Sequence, residues 1–210
     1  MIRSFKICFF FFISDFFSYT KDFDREGVIY YLGELAGVNE WKNPARVSTS
    51  GVKVTYCEGD QGNGTAPENI LEYFDLSRSH TVSGWCLDLG KNYTLRLTDY
   101  TLRQIGSNDK TFLSNFELYG SLYNKDDWYL LSKQNQVDWR SQRFSHVKSR
   151  HKDVPYKTKT WNIKGELKAC RYFKIVKMKG ASLLDTRRVS LGGIELYGVL
   201  SVLDFSEKNL

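Results

Sequence analysis

Apolar residues along this chain recur in short runs rather than at helical spacing, and the runs are separated by clusters of Gly, Asn and Asp. Val28-Ile29-Tyr30-Tyr31-Leu32 is a β-type run closed by Gly33. Val47 to Tyr56 alternates Val52 and Val54 with polar neighbours, the pattern of a half-buried strand. Ile70 to Phe74 fits either a short helix or a strand, and Gly84-Trp85-Cys86-Leu87-Asp88-Leu89-Gly90 is an apolar strand bracketed by glycines. In Arg96 to Arg103, Tyr100 and Leu102 fall on one face and Thr101 and Arg103 on the other, a period of two. Asn115 to Gly120, Trp128 to Leu131, Trp161 to Ile163, Arg171 to Met178 and Gly193 to Gly198 complete a set of about eight strands, a number that suits a sandwich or jelly roll. No repeat period is visible, and the pattern predicts an all-β chain.

Between these runs lie Glu34 to Pro44, a mixed loop holding Trp41, and Cys57 to Asn69, a turn-rich stretch with Gly59, Gly62, Gly64 and Pro67. The ends differ in character. Residues 1-21 form an apolar segment in which Arg3 and Lys6 precede Ile7 to Ile13, a signal-like arrangement too short to span a bilayer as a helix. Asp15 follows almost at once and no small-residue cleavage pattern appears, so the segment is expected to be retained and to pack on the domain or on a partner. Residues 22-200 form the body, and 201-210 turn polar and are expected to be a loose tail.

Composition supports a folded domain. The chain has 210 residues, 41% hydrophobic and 15% aromatic, enough to bury a sizeable core without metal or disulfide staples. Its net charge of +6 favours acidic partners, and the excess is concentrated between Asp138 and Thr160, where Arg140, Arg143, Lys148, Arg150, Lys152, Lys157 and Lys159 face only Asp138 and Asp153. Trp139, Phe144 and Tyr156 are interleaved with these cations. A charge run of this kind is ordinarily a solvated loop; with aromatic neighbours it is also an electrostatic footprint for an acidic partner. Cys8, Cys57, Cys86 and Cys170 form no CxxC pair and have no histidine at zinc-finger spacing, so we read them as reduced and structural, which favours an intracellular setting. Secretion is the runner-up, because of the signal-like segment and the acceptor tripeptides at Asn63 and Asn92.

The inventory of chemistry is sparse. His80, His146 and His151 accompany scattered acids with no HExxH and no nucleophile elbow, and the glycines at 59, 62 and 64 are not followed by Lys-Ser/Thr. No catalytic residue, metal site or cofactor is expected. Trp41, flanked by Glu40 and Lys42, is read either as a platform for a sugar or protein anchor or as a lid folded over the sandwich. Arg103 either pairs with a nearby carboxylate or faces a ligand. Together with Arg140, Arg143, Lys148, Arg150 and Lys152 these are the candidate partner-binding residues.

Taken in order, Phe23-Asp24-Arg25-Glu26-Gly27-Val28-Ile29-Tyr30-Tyr31-Leu32-Gly33 with Glu40-Trp41-Lys42-Asn43-Pro44-Ala45, then Trp85 to Gly90, Tyr100 to Arg103, Asn115 to Ser121 with Trp128, Arg171 to Ile175 and Leu191 to Gly198, resemble the discoidin-like (SUN-type) galactose-binding-like domains found in certain HECT-type ubiquitin ligases and BTB-domain proteins. The resemblance implies a jelly-roll β-sandwich whose loops at one end recognise a protein or glycan. It does not extend to a catalytic ligase domain or to a BTB domain, and the basic segment before Trp161 is longer than that pattern leads one to expect. The expected role is therefore a non-catalytic adaptor or accessory subunit of a larger intracellular assembly, docking on a protein partner with an acidic surface. Two further readings stand beside it: a secreted lectin-like, glycan-binding module, and a nucleic-acid-associated protein using the basic segment.

Overall fold

A computed structural model describes residues 12–57, 64–74, 77–105, 111–123, 127–139, 141–142, 145–148, 153–178 and 188–203. Two antiparallel sheets face each other across one core. The first is six-stranded. In it β13 (Gly193–Leu203) lies between β1 (Phe12–Phe17) and β5 (Tyr93–Ile105), β9 (Asp153–Asn162) and β8 (Ser145–Lys148) follow on the far side of β5, and the two-residue β10 (Ala169–Cys170) pairs with one end of β5. The second is five-stranded, in the order β2 (Lys53–Tyr56), β4 (Gly84–Asp88), β11 (Tyr172–Lys177), β6 (Phe116–Ser121), β7 (Tyr129–Gln134). A small pair, β3 (Ser79–Thr81) with β12 (Val189–Leu191), stands apart. Strands distant in sequence lie side by side and every strand pair is antiparallel, which is the jelly-roll sandwich expected. The described strands are more numerous than the eight anticipated, because β1, β3, β8, β10 and β12 carry too little alternation to stand out in sequence.

The period-two pattern fixes which side chains meet. Trp85 and Leu87 of β4, Phe116 and Leu118 of β6 and Phe173 and Ile175 of β11 point inward against Leu95, Tyr100 and Leu102 of β5 and Leu196 and Leu200 of β13. Tyr100 stacks on Trp161 with ring centroids 5.2 Å apart, and Phe116 meets Trp161 edge-on at 5.5 Å. The polar members of β5 differ from the usual solvated face: Thr101 and Arg103 are buried as well. A third layer of chain, made of residues 18–27 and the one α-helix among the described residues, covers that side of the sheet.

That helix corrects the sequence reading. Val28 to Leu32, expected as a strand, is the first half of α1 (Val28–Ala36), with Val28, Ile29, Leu32 and Gly33 on its buried face. Local β-propensity is overridden by a tertiary contact. The Glu195 side chain, on β13, accepts from Ile29 N at 2.7 Å and Tyr30 N at 3.1 Å, with its own neighbour Leu196 N at 2.9 Å. It takes the place of the capping side chain that Gly27, at the N-cap, lacks. Gly27 is required there, since a Cβ would lie 2.1 Å from the Glu195 carboxyl carbon.

Other boundaries shift for simpler reasons. Of Val47 to Tyr56 only Lys53–Tyr56 is strand, preceded by two single 3-10 turns (Pro44–Arg46 and Ser48–Ser50). Pro67–Leu71 is a 3-10 turn, which resolves the ambiguity over 70 to 74. The basic stretch is not simply a loop, because β8 and β9 form a hairpin within it. Trp139 there is 2% exposed and part of the core, and Lys157 is buried with Nζ donating to Trp139 O at 2.6 Å. At the ends, β1 lies inside the apolar N-terminal segment and pairs with β13, and β13 runs on to Leu203, three residues into the expected tail. Residues 1–11 and 204–210 lie outside the described residues.

Burial pushes the Glu195 carboxyl up to about 8, against the pull of its three N–H donors. The folded protein then holds a proton that the unfolded chain, titrating near 4.5, releases. This group's contribution to stability is full below its unfolded pKa and is lost as pH rises through about 8. Thermal melts should therefore show stability declining from about pH 5 to pH 8, and Glu195→Gln should flatten that decline. A wild-type stability that instead rises across the window would show the carboxylate to be ionised in the folded state.

Candidate functional site

The third layer shapes the most elaborate surface among the described residues. After α1 the chain doubles back, with Gly37 N and Lys42 N both donating to Gly33 O. This brings Trp41 over the helix, where its Nε1 donates to Tyr30 O at 3.1 Å and its indole lies directly on Gly33. A Cβ on Gly33 would stand 2.0 Å from that nitrogen, so glycine is needed for the approach. The following residues are pinned by Asn43, whose Nδ2 donates to Glu68 O and to Glu72 Oε1, both at 2.9 Å, while its Oδ1 accepts from Ala45 N. Arg46 completes this cluster, pairing with Glu72 at 2.6 Å and with Asn69 Oδ1.

Arg103 performs the matching task from below. It is 4% exposed, and its guanidinium donates to Gly192 O, Tyr73 O at 3.1 Å and, over a short contact, Glu72 O. Burial lowers its pKa to about 10, so it remains a cation at neutral pH. Its guanidinium carbon sits 4.4 Å from the centre of the Phe23 ring. Phe23 itself adopts a positive φ of 52°, uncommon for a bulky residue, and the conformation is held by Asp24. The Asp24 carboxylate gathers Thr20 N and Oγ1, Lys21 N and Glu26 N. Burial alone would raise its pKa, but these donors outweigh it and hold the group below its ordinary value.

With Glu72 and Tyr73 fixed, an aromatic ridge results. Tyr73 meets Tyr30 at 4.7 Å and Phe74 at 4.9 Å, and Trp41 meets Phe74 edge-on at 5.6 Å. Tyr73 is anchored by its hydroxyl on Phe23 O at 2.6 Å, whereas Phe74 at the crest is 52% exposed. A hollow of about 420 Å³ flanks the ridge on the Tyr73 side, lined by Thr20, Phe23, Asp24, Arg25 and Glu26. A second, of about 390 Å³, lies on the Phe74 side between Trp41, Lys42, Arg46 and Val47. Rigid aromatics beside shallow, mixed-charge hollows suit a protein side chain or a short peptide better than reaction chemistry. Among the described residues no group of three His, Cys, Asp or Glu is placed to hold a metal ion.

Of the candidate residues, the structure brings Trp41 and Arg103 together, one above and one below the 72–74 segment. Arg103 faces neither a carboxylate nor the open surface, because carbonyl oxygens take its donors. Lys148 ends β8, paired in register with Asp153, and is described by its backbone alone. Arg140, Arg143, Arg150 and Lys152 lie outside the described residues. Tyr73 and Phe74 were missed in sequence because they read as the end of one apolar run starting at Ile70; the signal available was two aromatics directly after a glutamate in a turn-rich stretch.

The chain is similar to parts of known proteins. Over 198 residues the chain is 30% identical to E3 ubiquitin-protein ligase Ufd4 of Drosophila melanogaster, a match covering 90% of this chain and 7% of the ligase. Over 189 residues it is 28% identical to E3 ubiquitin-protein ligase hecd-1 of Caenorhabditis elegans, covering 86% of this chain and 6% of that protein. The chain thus spans less than a tenth of either relative's length. No family model matches. Among solved structures, CpGH89CBM32-5 from Clostridium perfringens, in complex with GalNAc-β-1,3-galactose, aligns at 15% identity with a TM-score of 0.47, over 70% of this chain and 94% of that one.

Arg103→Met keeps the bulk but strands three carbonyls, and should cost on the order of 3–5 kcal/mol in urea unfolding. A loss under about 1 kcal/mol would mean the ridge is held without the guanidinium.

Proposed function

We propose that this discoidin-like galactose-binding-like β-sandwich is a non-catalytic docking module, seating a protein partner on the ridge formed by Trp41, Tyr73 and Phe74. The observation that carries the reading is Phe74. A large aromatic side chain is held half out of the surface by a segment whose backbone is fixed through Arg103, Asn43 and Arg46. Ordering costs for the ridge are met within the fold, so a partner loses little entropy in binding to it. Exposed, preorganised aromatics of this kind commonly dominate binding energy.

Similarity to segments of two much longer ubiquitin ligases supports the view that the module serves a larger assembly, as an adaptor or accessory part. It also supports an intracellular setting. In this reading ubiquitin transfer belongs to other domains or subunits, and the sandwich contributes recognition. The basic segment from Arg140 to Lys152 adds a second point of attachment for an acidic protein surface.

The test is affinity purification of the tagged native chain and of Phe74→Ala from the same cells, with mass spectrometry of the amino terminus and of whatever co-purifies. Stoichiometric protein partners that are lost or weakened roughly thirtyfold, about 2 kcal/mol, by Phe74→Ala are the expected result. The variant should stay folded and lose only about 1 kcal/mol of stability, since the ring is half exposed and its contacts are edge-on aromatic pairs. A cleaved, glycosylated chain without protein partners would instead identify an extracellular module.

A further inference from the structure

The opposite layer of the sandwich carries a second surface, built on a different principle. Along β11, Phe173 and Ile175 point into the core, which turns Tyr172, Lys174 and Val176 outward. The strand register extends this face into three rows. Lys53, Asp88 and Tyr172 form the first; Thr55, Cys86, Lys174, Tyr119 and Leu130 the second; Val176, Glu117 and Lys133 the third. Lys174 is at the centre.

Both acids of the face are already engaged. Asp88 receives Arg171 in a bidentate pair, at 2.7 and 2.8 Å. Glu117 receives Lys133 at 2.9 Å and the Tyr119 hydroxyl at 2.6 Å. Lys174 pairs with no carboxylate among the described residues. Its Nζ lies 4.2 Å from the Trp128 ring centre and 5.5 Å from that of Tyr119, so the rings hold the ammonium upright. Its neighbour Cys86 adds no negative charge, since burial raises that thiol to about 11. Lys53 and Lys133 are exposed at the rim.

We infer that the outer face of the five-stranded sheet docks an acidic segment of a protein partner, with one carboxylate seated on Lys174 between Trp128 and Tyr119 and its flanking residues over Leu130 and Val176. A cation preorganised on aromatic rings, amid acids that are already neutralised, presents uncompensated positive charge at low ordering cost. Single-stranded nucleic acid fits the face less well. Its bases need open ring faces, and here Lys174 covers Trp128 and Tyr119 while Arg171 lies 4.7 Å over Tyr172. This inference is independent of the ridge, which lies on the other sheet.

The experiment measures fluorescence anisotropy of a labelled Glu- and Asp-rich peptide with the intact chain, beside labelled oligothymidylate. The variants are Lys174→Glu, Lys174→Met, which keeps the stem against the rings, and Lys91→Glu on the exposed turn that follows β4. The expected result is salt-sensitive peptide binding, weakened about tenfold or more by Lys174→Glu and less by Lys174→Met, and unchanged by Lys91→Glu and by Phe74→Ala. Equal losses in Lys174→Glu and Lys91→Glu would reduce the effect to net charge and overturn the site. Oligothymidylate binding more tightly than the peptide would overturn the assigned partner, and no measurable peptide binding at low salt would overturn the inference as a whole. Circular dichroism confirms that each variant is folded. Retained partner capture by Lys174→Glu with loss in Phe74→Ala would separate failure here from failure of the ridge.

Discussion

A carboxyl group that cannot reach water holds the outer layer of this protein in place. Glu195 projects from β13 toward α1, the one α-helix among the described residues, and satisfies backbone donors at the helix start that have no partner of their own. Helix nucleation is unfavourable, and a nine-residue helix gains little from propensity alone. Val28 to Ala36 is helical because a side chain 166 residues away receives Ile29 N and because Val28, Ile29 and Leu32 bury their side chains against the sheet. Without that acceptor the same residues would be free to follow their β-forming tendency.

Arg103, on the neighbouring strand, complements Glu195. One is an acceptor that collects amide hydrogens, the other a donor that collects carbonyl oxygens, and between them they fix two segments with little structure of their own. Each is costly to bury alone and tolerable only because its polar atoms are occupied. The outcome is specificity of placement: α1 and the 72–74 segment meet at one angle, and Tyr30, Trp41, Tyr73 and Phe74 interlock as a consequence. The strained Phe23 belongs to the same arrangement, stabilised by Asp24 on one side and the Arg103 guanidinium on the other.

The two outer surfaces of the sandwich therefore differ in origin. On the six-stranded sheet an added layer converts what would be a plain polar face into a rigid aromatic ridge with hollows on both sides. On the five-stranded sheet nothing among the described residues covers the strands, and alternation alone sets out the rows around Lys174. The two faces are thus unlike in both shape and charge.

The sequence by itself determined the sheets. Short apolar runs bounded by turn residues located β4, β6, β11 and β13, and period-two alternation located β5, because a strand with a buried face has to write that burial into its own residues, and the ordered series of such runs was enough to recognise the jelly roll. It also singled out Trp41 and Arg103. What it left undecided was the meaning of Val28 to Leu32, the depth of Arg103, the core position of Trp139 and the ridge at Tyr73 and Phe74. Each of these depends on contacts between residues far apart in the chain, such as Glu195 with Ile29 and Arg103 with Tyr73. Local pattern reports which residues avoid water, but only the tertiary structure decides which buried polar atom is satisfied by which distant partner, and in this protein those pairings shape the candidate binding surface.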